Sequence, residues 1–273
     1  MDLLEKIQKI PTPLISFVLI ITLLVPMFYP LGLPIKVTPM VQAAYDKIQE
    51  MPEGSVVLIS YGVTPASVDE TGCGARAMVY HMFREGLKLI FMGTDTRNPM
   101  FVEKDVPPIA KELNKEYGVD WVHLGYCAGG ETARAAILSD IYNVYPKDHR
   151  GNLLQDLQLM ENVKNYEDID LIVVVTNGSD VPPSWVRQAN TPYGIDLIAD
   201  VDGTTFVIIL PYFPTQFVGL LNALRGGAEY EALLKRPGKA ISGMDSVSLS
   251  YLYVIVLLAA TNITMLLSKR EGK

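Results

Sequence analysis

Residues 170–176 read DLIVVVT, a run of apolar and mostly β-branched side chains that begins with an Asp and ends with a Thr. β-branched side chains favour strands, and a strand with a continuous apolar run is buried on both of its faces. Four further runs have the same character: Ser55–Tyr61, Lys88–Met92, Asp120–Leu124 and Gly194–Ala199. The sequence therefore predicts a mainly parallel sheet that is covered on both sides.

The segments between these runs have helical patterns. Thr71 is a suitable N-cap for one helix, and the pair Pro107–Pro108 marks the start of a second. Further helices are expected over Glu131–Ser139 and Leu153–Val163. Strands that alternate with helices are typical of α/β domains, so we expect a doubly wound, three-layer fold of the flavodoxin-like or Rossmann-like type. Residues 204–213 (TTFVIILPYF) fit either a sixth strand or a buried helix.

The two ends of the chain are more apolar than the rest. Residues 14–33 and residues 248–267 contain no charged side chain. At 1.5 Å per residue, a helix of that length crosses the hydrocarbon core of a bilayer, which is about 30 Å thick. We therefore predict a transmembrane helix on each side of an α/β domain that covers residues 34–247. Residues 1–13 place apolar side chains on one helical face and are expected to form an interfacial segment.

The chain carries 23 basic and 30 acidic residues, a net charge of −7, and 49% of its residues are hydrophobic. This composition excludes a disordered chain, and a content of only two Cys excludes a disulfide-stapled miniprotein. The acidic balance argues against nucleic-acid binding, which requires a basic surface. We expect the lipid bilayer and protein subunits as partners.

The basic residues near the termini indicate an orientation in the membrane. Lys6 and Lys9 precede the first predicted span, and residues 268–273 form a basic tail after the second. Positive charges that flank a span favour the cytoplasm. We expect cytoplasmic termini and an extracytoplasmic α/β domain, with a cytoplasmic domain as the alternative.

Two features near the second span favour assembly with other chains. Residues 215–234 are expected to form a long helix, in which Gly219, Ala223 and Gly227 lie four residues apart on one face. Small side chains let another helix approach closely, and the amide of Asn262 within the second span favours a partner. The leading hypothesis is a non-catalytic, membrane-anchored subunit or scaffold of a membrane or envelope complex, either as a homo-oligomer or with other subunits.

The carboxyl ends of parallel strands predict the place of a ligand site. Ligands of open α/β sheets bind in the crevice beyond those ends. The backbone amides of residues 128–131 also open a helix and are suited to binding a small anion. The first alternative is therefore an extracytoplasmic ligand-binding or sensing domain. Its candidate residues are Tyr61, Asp95, Arg97, Cys127, Gly129, Gly130, Arg134, Asn177 and Asp180.

Residues 125–130 read GYCAGG between a predicted strand and a predicted helix. This stretch of about ten residues with its flanks resembles the nucleophile elbow of the dienelactone hydrolases, in the α/β-hydrolase family. The resemblance implies a Cys127 thiol whose pKa is lowered at a helix amino end. The family also requires an acid and then a His after the nucleophile, and no His occurs after His149. A thiol hydrolase is therefore the second alternative, and we favour a protein that is not an enzyme.

Other chemistry has little support in the sequence. Three His and two Cys lack metal-ligand spacing, and no glycine motif for phosphate binding is complete, so we expect no metal and no cofactor. Asp200–Gly203 resembles the start of a Ca²⁺ loop, but Tyr212 stands where that loop needs a Glu. Cys73 and Cys127 follow strands that are neighbours in the flavodoxin-like order, which leaves a disulfide between them open.

Overall fold

The structure is a computed structural model that describes residues 11–271, with side chains through residue 266. The predicted interfacial segment 1–13 lies almost wholly outside the described residues, as do the side chains of the basic tail 268–273. The described chain divides into two units: residues 35–240, and the two flanking segments, which end at residue 34 and begin at residue 241.

The unit over residues 35–240 is built on a six-stranded sheet in which every neighbouring pair of strands is parallel. Its strand order is β3-β2-β1-β4-β5-β6. The strands are β1 (Val56–Tyr61), β2 (Lys88–Gly93), β3 (Trp121–Tyr126), β4 (Leu171–Thr176), β5 (Asp196–Val201) and β6 (Phe217–Asn222). The structure therefore confirms the parallel α/β sheet, and its order is Rossmann-like rather than flavodoxin-like.

Helices lie along the chain between the strands. The longer ones are α1 (Thr12–Phe28), α2 (Pro39–Glu50), α3 (Thr71–Arg84), α4 (Asn98–Glu112), α5 (Gly130–Ser139), α10 (Ala223–Leu233) and α11 (Lys239–Glu271). The short ones are α6 (Ile141–Val144), α7 (Val181–Trp185), α8 (Thr191–Tyr193) and α9 (Gly203–Ile209). A π-turn over Val186–Asn190 joins α7 to α8, and 3₁₀ turns occur at Leu154–Asp156, Gln158–Asn162, Tyr166–Asp168 and Leu210–Tyr212.

Each strand buries both faces, as the continuous apolar runs predict. In β4, Leu171, Val173 and Val175 belong to the core on the side of α2, α3 and α4. Ile172 and Val174 belong to the core on the opposite side, with α5 and α7. Successive side chains of a strand point to opposite faces, so a strand between two layers must be apolar at every position.

The strand order changes the relation between the two cysteines. In the Rossmann-like order β2 lies between β1 and β3, so the segments that carry Cys73 and Cys127 follow strands that are not neighbours. Both thiols are free. The disulfide that the flavodoxin-like order left open is therefore absent.

Two helix predictions differ from the structure. Pro107 and Pro108 lie inside α4, which already begins at Asn98, because its buried residues such as Phe101 and Val106 pack on the sheet and outweigh the two lost amide donors. Residues 153–163 form two 3₁₀ turns instead of an α-helix. Their buried side chains recur every three residues, at Leu154, Leu157, Met160 and Val163, which is the repeat of a 3₁₀-helix.

The predicted long helix over residues 215–234 is also replaced, by the strand β6 followed by α10. Gly219 lies in β6, and a Cβ there would overlap the backbone of Ala44 in α2. In α10, a Cβ on Gly227 would lie 2.9 Å from the backbone nitrogen of Gly74 in α3. Gly219, Ala223 and Gly227 therefore form no common helical face, and the two glycines serve packing within the domain.

The ambiguous segment 204–213 is helical, as α9 and a 3₁₀ turn. It is not a buried helix, since Val207 is 69% exposed and Ile208 is 50% exposed.

The second unit contains α1 and most of α11, which lie side by side in opposite directions. The Tyr253 hydroxyl donates to the carbonyl of Ile15 at 2.8 Å, and the Ser246 hydroxyl donates to the carbonyl of Leu23 at 2.9 Å. The buried carboxylate of Asp245 accepts the N–H groups of three consecutive residues, 31–33. These bonds hold the chain that follows α1 against α11.

Within the described residues, one helix is long and apolar enough to span a membrane. It covers Lys239–Leu266, and its most apolar 18-residue window has a mean hydropathy of 1.9 and is 6% buried. This stretch includes most of the predicted span 248–267. The other predicted span, 14–33, is shorter in the structure, because α1 ends at Phe28 after 17 residues, or about 26 Å at 1.5 Å per residue.

Candidate functional site

The carboxyl end of the sheet brings several loops together. Because β4 pairs with β1, the strand order reverses between these two strands, and a ligand crevice is expected at that point. The turn from β3 into α5 and the loop from β4 into α7 lie at this end of the sheet. We name these two segments, residues 127–134 and 177–180, the carboxyl-end site.

The turn into α5 depends on two glycines. Gly129 has φ 119° and Gly130 has φ 57°, conformations that glycine adopts without a Cβ clash. They reverse the chain directly after β3, so α5 begins at Gly130 with no side-chain cap. The first N–H groups of the helix therefore have no partner within it. Residues 128–130 are exposed, which leaves these donors open to solvent or a ligand.

Arg134, in the second turn of α5, is a buried cation without a partner. The residue is 4% exposed, and its Nε has no hydrogen-bond partner in the described structure. Burial lowers the pKa of its guanidinium, although the charges of Asp180 and Glu131 act in the opposite direction. Side chains of a helix lean towards its amino end, so the guanidinium of Arg134 lies on the side of the first turn of α5, which holds Glu131.

The two carboxylates near Arg134 differ in their own partners. Arg187 binds the Glu131 carboxylate through Nε at 2.9 Å and Nη2 at 2.6 Å, and Gln188 donates to it at 2.8 Å. These bonds lower the pKa of Glu131 to about 2. Asp180 is exposed and does not cap α7 with its side chain, and Asn177 in the same loop is exposed as well. The Glu131 carboxylate is thus bound by Arg187 and Gln188. The side chains of Asp180 and Asn177, in the loop after β4, are exposed and available to a ligand.

The remaining candidates lie apart from this group. Tyr61 is fully buried in the core on the other face of the sheet, and its hydroxyl donates to Asp105 Oδ2 at 2.9 Å. Burial raises the pKa of that hydroxyl. Asp95 and Arg97 are exposed at their tips and pair with each other at 2.7 Å. The structure therefore groups Cys127, Gly129, Gly130, Arg134 and Asp180 around one helix end, with Asn177 in the adjoining loop.

Cys127 lacks the surroundings of an activated nucleophile. Its Sγ donates to the carbonyl of Ala128 at 3.4 Å, and burial raises the pKa of the thiol, opposite to what the hydrolase resemblance implies. His149 returns to the end of β3 but packs against His123 with tilted rings, whose centroids are 4.5 Å apart. His123 in turn bonds Glu103 through Nδ1 at 2.9 Å. No His of the described chain bonds the Cys127 thiol.

Asp200 is a notable residue that the sequence analysis considered only as part of a Ca²⁺ loop. It lies near the carboxyl end of β5 and is fully buried, and neither carboxylate oxygen has a hydrogen-bond partner of good geometry, although the nearby backbone N–H of Ala75 partly offsets the effect of burial on its pKa. Its side chain packs directly on Gly74 of α3, and burial raises its pKa well above the usual range. Asp202 instead caps α9, since its Oδ1 accepts the N–H of Thr205 at 3.1 Å. The sequence carries a signal for the unusual position of Asp200, because this Asp lies in an otherwise apolar strand.

The carboxyl-end site coincides with no metal cluster, since the described residues contain no group of three or more His, Cys, Asp or Glu that could hold a metal ion. A cavity of about 620 Å³ lies away from this site, where α5 ends and where the chain runs towards β4. Its lining residues are Ser139, Asp140, Tyr142, Gln155, Glu161, Lys164 and Asn165.

The described residues define a class: an α/β protein with a six-stranded, Rossmann-like parallel sheet and with one helix that is long and apolar enough to span a membrane. No protein-family model, no curated protein and no solved structure matches this chain.

Proposed function

We propose that this protein is a membrane-anchored, non-catalytic α/β domain that serves as a subunit or scaffold of a membrane or envelope protein complex. The observation that carries the proposal is Asn262. Its side chain is exposed on the apolar part of α11, and no hydrogen bond to it occurs among the described residues. An amide within hydrocarbon is stabilised by a partner on another helix, so the α11 surface favours association.

The proposal includes two membrane passes. The hydrogen bonds from Tyr253 and Ser246 to the backbone of α1 support a pair of neighbouring helices. Apolar side chains of α1 such as Phe17 (58% exposed) and Ile20 (51% exposed) require a nonaqueous environment or a partner. The basic residues near both termini support cytoplasmic ends and an extracytoplasmic α/β domain. This orientation is tested with a variant whose single Cys replaces Arg97, which is exposed after β2, and in which Cys73 and Cys127 are replaced by Ser. Intact cells that carry this variant are treated with a membrane-impermeant maleimide. Labelling only after permeabilisation would contradict it.

The non-catalytic part of the proposal is supported by the site geometry. Hydrolysis by Cys127 would need a base within hydrogen-bond reach, about 2.6–3.2 Å, that lowers the barrier to thiolate attack. Cys127 instead donates to a backbone carbonyl, and its pKa is raised. We therefore do not propose a thiol hydrolase.

The association is tested by oligomer analysis of the full chain in lipid nanodiscs or by energy transfer in liposomes. Replacing Asn262 by Leu removes the amide at similar volume. Interhelical hydrogen bonds in membranes contribute about 0.6–2 kcal/mol, so the association constant is expected to fall about 3- to 30-fold. Thr261→Val is the matched control, because the Thr261 hydroxyl bonds the carbonyl of Leu257 in its own helix at 2.9 Å. A wild-type protein that stays monomeric and retains no subunit on extraction, or an unchanged Asn262→Leu variant, would refute the proposal.

A further inference from the structure

We infer that the amino end of α5, together with the Arg134 guanidinium, binds the phosphate group of a small phosphate monoester or of a lipid headgroup. This inference is independent of assembly through α11, since every residue involved lies in the α/β domain.

The first element of the site is a set of uncapped backbone donors. Because α5 starts at Gly130, the N–H groups of Gly130, Glu131 and Thr132 have no acceptor in the helix, and no side chain caps them. The helix dipole adds a partial positive charge at the same place. Such an end attracts an anion, but every exposed helix start has this property to some degree.

The second element is independent of the helix end and points to a missing ligand. Arg134 is 96% enclosed, its Nε is buried without an acceptor, and none of the described carboxylates forms an ion pair with it. A buried guanidinium is strongly disfavoured unless an anion or several acceptors satisfy it. Side chains of a helix lean towards its amino end, so the guanidinium of Arg134 and the open N–H groups converge on the same volume.

The nearby carboxylates narrow the class of ligand. Arg187 neutralises Glu131, and this ion pair leaves Asp180 as the free negative charge near Arg134. A tetrahedral phosphate supplies enough oxygen acceptors for both the guanidinium and the N–H groups. Asp180 and Asn177 are both exposed in the loop after β4, and their side-chain oxygens are suited to a hydrogen-bond donor of the ligand. The ligand therefore combines a phosphate with an ammonium or hydroxyl group, as phosphoethanolamine does.

The test is an NMR titration of the full-length protein in uncharged detergent. Inorganic phosphate, compared with chloride at equal ionic strength, is expected to shift the amides of Gly130 and Glu131 and the Nε–H of Arg134. Arg134→Gln is expected to weaken phosphate binding by at least about tenfold, the effect of one charge-assisted hydrogen bond. Arg97→Gln, an exposed Arg at the same end of the sheet, is the control and should bind as the wild type does.

Two further experiments distinguish the phosphate from the second polar group of the ligand, and a lipid phosphate from a soluble one. Asp180→Asn should bind inorganic phosphate more tightly and phosphoethanolamine more weakly than the wild type. Nanodiscs of phosphatidylcholine with and without phosphatidic acid distinguish a lipid phosphate from a soluble one, and the same shifts in either arm support the site. If neither phosphate source shifts the Arg134 Nε–H of the wild type, or if a folded Arg134→Gln variant retains the affinity, the inference is wrong. The wild-type measurement decides the matter even if the variant does not fold.

Discussion

Replacing Asp200 by Asn should make the α/β domain more stable at neutral pH and leave its stability almost unchanged near pH 4. Asp200 is fully buried, and desolvation raises its pKa well above the usual range, an effect that the nearby backbone N–H of Ala75 and the charge of Arg76 only partly offset. The folded state therefore holds a proton on this carboxyl at a pH where the unfolded chain has lost it. Asn has the same shape and no ionisation, so it removes this difference between the two states.

The sign and size of the effect follow from proton linkage. For a carboxyl whose pKa is raised in the folded state, stability is fully present below the unfolded pKa of about 3.9 and falls as the pH rises towards the folded pKa. One bound proton changes the free energy of unfolding by about 1.4 kcal/mol for each pH unit in that interval. The stability difference between Asp200→Asn and the wild type should therefore grow by about 1.4 kcal/mol per pH unit above pH 4, until the folded pKa is reached.

The assay is urea unfolding of the full chain in an uncharged detergent at several pH values. Trp121 and Trp185 are both buried in the α/β domain, so tryptophan fluorescence reports the unfolding of this domain alone. Asp156→Asn, at an exposed Asp in a 3₁₀ turn to which no role is assigned, is the control for the same change of side chain without burial. A stability difference for Asp200→Asn that does not depend on pH would refute the reasoning that the carboxyl is protonated in the folded state.

Three further predictions concern packing, histidine protonation and thiol reactivity. Gly219→Ala is expected to destabilise the domain by about 1–3 kcal/mol in the same urea assay, because its Cβ overlaps the backbone of Ala44. Gly203→Ala, whose Cβ meets only the Asn222 side chain at 3.8 Å, should change stability by less than about 0.5 kcal/mol, and equal effects of the two variants would contradict the packing argument. Burial lowers the pKa of His81 and of His123 to about 4, so stability should fall as the pH drops from about 6.5 towards 4, and imidazole NMR signals that titrate near pH 6.5 would contradict this. Burial raises the pKa of Cys73 to about 11, so a maleimide at pH 7.5 should label only Cys127, and labelling of a folded Cys127→Ser variant would show that the prediction is wrong.

The sequence predicts the layers of the domain well because they follow from local patterns. The apolar run in β4 predicts burial on both faces of the sheet. In the structure, alternate side chains of β4 belong to the two cores on opposite faces. The strand order could not be derived in the same way, because neighbouring strands are chosen by contacts between segments far apart in the chain. A flavodoxin-like and a Rossmann-like order use the same strands and helices, and they differ only in where the chain crosses the sheet.

The errors in the helical segments have a similar origin. Phe217–Asn222 reads as apolar in either a strand or a helix, and the structure makes it an edge strand that packs on α2. The repeat of three in Leu154, Leu157 and Met160 is close enough to 3.6 to resemble an α-helix over a short stretch. Short apolar runs thus indicate burial more reliably than they indicate secondary structure.

For the site, local sequence was sufficient only for the turn from β3 into α5. Its two consecutive glycines and the Arg one turn later are visible without a structure, and the structure places them together with Asp180. The separation of Tyr61 from the carboxyl-end site could not be predicted. The face of the sheet to which a side chain at the end of a strand points depends on the register of that strand. Burial of Asp200 without a partner also required the position of α3.

The carboxylate of Asp245 bonds to the N–H groups of residues 31–33 from 212 to 214 positions further along the chain. This separation has a consequence for the order of events during synthesis. At about 5–20 residues per second, the ribosome needs roughly 10–40 s to make the intervening chain. During that time α1 has no α11 beside it, and the segment that follows α1 lacks its acceptor. The pair of α1 and α11 is therefore the last part of the described chain to assemble, after the whole α/β domain has been made. A chain that is cut short before α11 would leave the apolar side chains of α1 without this neighbouring helix.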